Sequence, residues 1–233
     1  VSAILVATRE YVNKYDLICF AHDKKTKQNK PYTVGASFAY KCLENTLGSK
    51  EYVKNIIGRF SKEPKLGIMM PPPPNHADFF GIIGTEWGSN YRNTRELADE
   101  LKIRVDMNEG KEPITPLGTM FWFRPDSLQP LLSKKWKYED FPEEPNNYDG
   151  TLLHAIERMY GFCSQSRGYY NAWCMNDKFA GIELTNYHFM LREMNQAIYG
   201  KLGFIDRITM MTYKINTSNM GEENNPRKIL KME

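Results

Sequence analysis

The sequence predicts an α/β fold, and three observations predict it. Short apolar runs end abruptly in polar or proline-rich turns, as in LICF before His22 and KLGIMM before Pro71. Stretches with apolar residues at helical spacing lie between them. An apolar fraction of 41% over 233 residues is enough for one substantial core. Continuous apolar runs of this kind are expected to be buried on both faces of a mostly parallel sheet.

From the N-terminus, Ile4, Leu5, Thr8, Tyr11 and Val12 mark a helix within Val1–Tyr15, and the first strand, Leu17 to Phe20, follows at once. After the polar segment Thr26–Tyr32, a helix is predicted over Ala36–Leu47 with Gly48 as its stop. A second covers Glu51–Phe60. Lys65–Met70 reads as a buried strand, ended by Pro71–Pro74, which cannot continue a ladder. The loop Asn75–Asn90 mixes aromatics with glycines, a composition suited to a binding surface. Thr94 reads as the cap of a helix over Glu96–Leu101, and Gly118–Arg124 (GTMFWFR) as a β-prone third strand closed by Pro125. Trp136–Tyr148 reads as an ordered acidic loop. Asp149 then precedes GTLLHAIERMY, whose Leu152, Leu153, Ile156 and Met159 form an apolar helix face. Tyr169–Met175 completes the strands and Thr185–Tyr199 the helices, and the polar stretch from Asn216 is expected to fray. The predicted domain is 1–212, with 213–233 a polar tail.

The 31 basic and 28 acidic residues nearly cancel to +3, so no global field argues for nucleic acid or a membrane surface. Cys19, Cys42, Cys163 and Cys174 lack a CxxC pair and suit buried thiols in a reducing compartment. No apolar run reaches the roughly 20 residues of a membrane span, and the N-terminus lacks a signal-peptide pattern. A cytoplasmic protein is expected. Because the chain opens within a helical pattern, it is expected to be a cropped piece.

Candidate chemistry gathers where strands end, because ligands of open α/β sheets bind outside the carboxyl ends of the strands. His22, Asp23, Lys24 and Lys25 are placed there for a phosphorylated or metal-bound ligand, or form a solvated turn. His76 and Asp78 follow the prolines. Asp149 is an N-cap, a functional carboxylate, or both. His154, Glu157 and Arg158 stand at i, i+3 and i+4 on one helix face. Trp122, between Phe121 and Phe123, belongs in the core; Arg124 either reaches the site or forms a surface ion pair. A nucleic-acid-binding reading would rest on Lys24, Lys25, Lys27 and Lys30.

Several strings in one order, FAHDKK, TVGASFAYKCLENTL, the proline run, GTEWGSNY, PLGTMFWFRP, YEDFPEEP, DGTLLHAIER and ELTN, resemble the rhamnan synthesis protein F family of bacterial glycosyltransferases over about Val1 to Asn195. The resemblance implies a GT-A-like (Rossmann-like) mixed sheet flanked by helices, here without its N-terminal βα units. It implies transfer of L-rhamnose from dTDP-rhamnose to a cell-wall rhamnan or O-antigen polysaccharide by inverting displacement. The alternative is a non-catalytic sugar-binding or scaffold module.

On that resemblance Asp149 is the catalytic carboxylate, with Glu139 and Asp140 behind it. His22, Asp23, Lys24, Lys25 and Trp87 bind the donor, Trp87 by stacking on a ring. His76, Asp78, His154 and Arg158 bind the acceptor. The usual Asp-x-Asp is replaced by His22-Asp23-Lys24, so the expected divalent cation, Mg or Mn, rests on Asp23, with the lysines the alternative counter-charge. The implied partners are a nucleotide sugar and a lipid-linked or polymeric glycan, with no nucleic acid, and with peripheral association at the inner membrane face.

Overall fold

The computed structural model describes residues 1–23, 32–74, 83–143, 147 and 149–200. The chain divides into two compact units, Val1–Glu183 and Leu184–Glu233. The expected boundary at 212 lies outside the described residues, as does the tail.

In the first unit a π-helical turn, Ala3–Ala7, and α1 (Arg9–Val12) replace the single helix expected up to Tyr15. They lead into β1 (Ile18–Phe20), then α2 (Tyr32–Leu47), α3 (Lys50–Lys62) and β2 (Leu66–Met70). There follow α4 (Tyr91–Glu100), β3 (Phe121–Phe123), α5 (Gln129–Leu132), α6 (Leu152–Ser166), β4 (Tyr170–Trp173) and α7 (Asp177–Tyr199). The second unit takes up α7 from Leu184, where Leu184, Phe189, Leu191, Met194 and Ile198 are exposed.

The four strands form one mixed sheet in the order β1-β3-β2-β4. β3 runs antiparallel to both β1 and β2, and β2 runs parallel to β4. An α/β architecture is therefore present, but the mostly parallel sheet is not. β1 is also not buried on both faces: it is an edge strand, half-buried at all three residues. An edge position leaves one side of the ladder and part of each face open, which a bare apolar run cannot reveal.

Helix α3 shows how local chemistry sets an element. Ser49 caps it, its Oγ accepting the Tyr52 N–H at 3.1 Å. Glu51 stands in the first turn and Arg59 and Lys62 in the last, complementing the helix dipole. Its apolar face, Ile56 and Phe60, packs with Leu66, Met69 and Trp122 on one side of the sheet. The other side carries Ile68, Met70, Phe121 and Phe123, covered by Ala155, Ile156, Met159 and Tyr160 of α6. Leu66 joins Met69 rather than Ile68 because the β2/β4 register shifts between Leu66 and Ile68; a bulge turns over the two-residue alternation. Trp122 is a core residue as expected, 8% exposed, with Nε1 donating to the Thr46 carbonyl at 2.9 Å. Cys42 and Cys163 are buried and Cys19 and Cys174 half-buried, all four as free thiols.

Two caps differ from expectation. Thr94 lies inside α4, where its hydroxyl donates to the Asn90 carbonyl at 2.6 Å. Thr151, not Asp149, precedes α6 as the cap residue.

Candidate functional site

Strand direction decides which loops meet. Phe20 pairs with Phe121, Met69 with Trp122, and Met70 with Trp173. The carboxyl ends of β1, β2 and β4 therefore share one edge with the amino end of β3. That edge gathers His22 and Asp23, Pro71–Pro74, and Gly118 and Thr119. The expectation that the chemistry gathers where strands end thus needs one correction: β3, antiparallel to its neighbours, brings the loop before it to that edge. Arg124 lies at the opposite edge, its Nε donating to the Leu66 carbonyl at 3.0 Å and Nη2 to that of Phe60 at 2.6 Å.

His22 and Asp23 are exposed. The Nε2 of His22 lies 3.0 Å from the Gly118 carbonyl oxygen. A carbonyl only accepts, so Nε2 carries the proton. Gly118 and Thr119 both have positive φ, +93° and +53°; for threonine, a β-branched residue, this conformation is strained. Glu157, on α6, holds them. Its Oε2 accepts the Gly118 N–H and the Thr119 hydroxyl, each at 2.8 Å. Its Oε1 accepts from Nη1 of Arg158 at 2.5 Å, and the two side chains are only 15% and 11% exposed. Arg158 in turn donates from Nε to the Glu86 carbonyl at 2.9 Å. A continuous chain of bonds thus runs from the loop after β1, through the loop before β3 and α6, to the loop before α4.

That last loop carries the chain to Asp149. The Asp149 Oδ2 accepts the N–H and the hydroxyl of Ser89, each at 2.9 Å, and Oδ1 accepts from Asn90 Nδ2 at 2.5 Å. Gly88 sits beneath with φ +53°, where an added Cβ would stand 2.5 Å from Oδ2. Partial burial alone would raise the carboxyl, but the Ser89 N–H, the Asn90 amide, the Ser89 hydroxyl and the Gly150 N–H outweigh it and lower it to about 2. Asp149 is thus a firmly ionised carboxylate that ties the entry of α6 to the start of α4.

The remaining expected residues separate. His154 is half-buried, its Nδ1 2.8 Å from the Thr151 hydroxyl. Asp140 accepts the Lys137 N–H at 2.8 Å within an exposed 3-10 turn that also holds Glu139, and no bond joins either to Asp149 among the described residues. Trp87 is 6% exposed; it stacks on Phe162 at 5.7 Å, meets Tyr91 edge-on at 5.1 Å, and donates to the Lys111 carbonyl at 2.7 Å. Its faces are taken by the core, which corrects the expectation that it stacks on a ligand. Lys24, Lys25, Lys27, Lys30, His76 and Asp78 lie outside the described residues.

Sequence reasoning missed Lys41, fully buried on α2 with Nζ donating to the Pro72 carbonyl and standing 4.8 Å from the Phe38 ring centroid. The signal was a lysine within the otherwise apolar string FAYKC. It also missed Ser89 and Asn90, which only a fold can bring to Asp149. A cleft of about 630 Å³ opens at the other end of the sheet, between Asp16, Phe60, Arg124 and Tyr169. The cluster from His22 to Asp149 is the better candidate site, because Arg124 in that cleft is spent on backbone carbonyls.

The rhamnan synthesis protein F family model matches residues 1–169, which include every site residue named from His22 to Arg158. Uncharacterized protein WxcX from Xanthomonas campestris pv. campestris, strain B100, is 29% identical over 165 residues, and its counterpart in a second strain matches equally. Each alignment takes in 70% of this chain and 22% of the relative, so the chain spans about a fifth of those proteins. No solved structure matches. With more than half its length matched by the family model, this chain belongs to the rhamnan synthesis protein F family.

Proposed function

We propose that the chain is a glycosyltransferase domain of GT-A-like architecture that transfers L-rhamnose from dTDP-rhamnose to a growing rhamnan or O-antigen polysaccharide. The observation that carries the reading is the bonded cluster at the carboxyl edge of the sheet, within the segment that matches the family. In the inverting displacement an acceptor hydroxyl oxygen attacks the anomeric carbon and the bond to the diphosphate oxygen breaks. The electron pair leaves on dTDP, and the hydroxyl proton passes to a base.

His22 and Asp23 meet the donor, and Lys24 and Lys25 supply charge to the diphosphate. The described residues hold no group of three His, Cys, Asp or Glu able to cage an ion. One carboxylate suits Mg or Mn nonetheless, since such an ion is often bound through one or two carboxylates and substrate phosphates. Asp23 would hold it, and its charge would neutralise the departing diphosphate. Asp149, ionised at neutral pH, orients the acceptor hydroxyl. His154, tied at Nδ1 to the Thr151 hydroxyl, would take the acceptor proton at its other nitrogen. Arg158, His76 and Asp78 complete the acceptor side. Among the described residues no helix is long and apolar enough to cross a membrane, and a lipid-linked acceptor would be met at the membrane surface.

The test is release of dTDP from dTDP-rhamnose by the full-length protein with a polysaccharide acceptor, with and without Mg or Mn. Asp23→Ala is expected to abolish transfer at an unchanged melting temperature. Donor binding without any turnover would replace the enzyme with a sugar-binding module. Transfer that survives Asp23→Ala would displace the donor site from this edge.

A further inference from the structure

The strongest unassigned feature is a partly buried carboxylate, Glu157, that acts at a distance. Both oxygens of Glu157 are engaged: one by Arg158, the other by the Gly118 N–H and the Thr119 hydroxyl. These bonds hold two successive residues at positive φ, one of them a threonine. A left-handed pair with a β-branched member is strained, so it persists where its surroundings over-determine it. The result is a Gly118 carbonyl aimed at Nε2 of His22.

We propose that Glu157 is a positioning residue for the donor site: acting through Gly118, it fixes the His22 ring with Nε2 protonated and Nδ1 presented as an acceptor. In the neutral ring, Nδ1 then complements a hydroxyl, of the sugar or the ribose, rather than a phosphate oxygen, which would need a donor there. His22 thus reads the sugar side of the donor. The identity of that ligand rests on the glycosyltransferase reading; the positioning does not.

The experiment observes the imidazole directly. In the intact protein labelled with 15N-histidine, the His22 Nε2–H, assigned by its loss in His22→Gln, is expected as a resonance protected from exchange with water. Glu157→Gln removes the charge and one acceptor. Glu157→Asp keeps the charge beside Arg158 but withdraws the oxygens from Gly118 by a methylene. Both are expected to accelerate exchange of that proton at least tenfold or erase the signal, with the remaining spectrum of a folded protein retained. A His22 signal equally protected in either folded variant overturns the proposal, as does its lack in the wild-type protein. Assay of dTDP release on the same samples separates the two ideas: a signal that responds to Glu157 in a protein that turns over no nucleotide sugar upholds the positioning and removes the transferase.

Discussion

Replacing Asp149 by asparagine tests the central tie of the site. The wild-type carboxylate receives the Ser89 N–H, the Ser89 hydroxyl and the Asn90 amide at 2.9, 2.9 and 2.5 Å, besides the Gly150 N–H. Asparagine keeps one acceptor oxygen and turns its amide hydrogens toward groups that also donate. Hydrogen bonds to a charged group contribute about 1.5–3 kcal/mol each, net of water, but the position is half-exposed and one acceptor survives. The expected loss is about 2 kcal/mol, or roughly 4–8 °C in melting temperature for a chain of this size. The pH dependence fixes the cause. The carboxyl drops from an ordinary 3.8 to about 2 in the folded state, so its stabilisation is complete above 3.8 and is lost as pH falls toward 2. At 1.36 kcal/mol per pH unit that is about 2.4 kcal/mol, which solvent reduces to about 1 kcal/mol. Urea unfolding of both proteins at about pH 6 and about pH 2 is expected to show a gap that narrows by about 1 kcal/mol on acidification. An equal gap at both pH values, or none, would refute the electrostatic tie.

Glu183 makes the opposite test. Burial raises its carboxyl to about 7, although Lys41 nearby lowers it. With the folded value raised, stability is full below about 4.5 and declines as pH rises through 7, by about 1–3 kcal/mol. Urea midpoints from pH 4.5 to 8 should fall for the wild type and stay level in this window for Glu183→Gln; a level wild-type curve would remove the assignment. Trp87→Ala is expected to cost about 3–5 kcal/mol by emptying a packed position, read as a lower melting temperature. Lost donor affinity at full stability would return Trp87 to the ligand.

The elements most legible in the sequence were those whose burial is complete. All five residues of β2 are buried, and so are Phe121, Trp122 and Phe123, so apolar runs announced both strands. α3 and α6 carried their apolar periodicity over three or more turns. The position of β1 is legible but its setting is not, because an edge strand and a central strand of three residues look alike in sequence. Thr94 reads as a cap because a Ser or Thr hydroxyl bonds the backbone equally from the cap and from the first turn. Trp87 reads as a ligand-stacking residue for a related reason: the glycines around it suggest an open loop, whereas the indole stacks on Phe162. In each case local composition was correct and the deciding contact lay far along the chain.

The site shows the same division at a finer level. The spacing of His154, Glu157 and Arg158 put them on one helix face, and Glu157 and Arg158 are joined there at 2.5 Å. Nothing in that spacing says that Glu157 would reach 39 residues back to the Gly118 N–H. Strand direction supplies the missing step. Had β3 been parallel to its neighbours, Gly118 and Thr119 would lie at the far edge and Arg124 would stand beside His22. Running antiparallel, β3 sends its arginine to backbone carbonyls at one end and brings two left-handed residues to the other. A single chain reversal therefore replaces a cation with a carbonyl oxygen beside the imidazole. That exchange sets an acceptor against Nε2 of His22, 3.0 Å away.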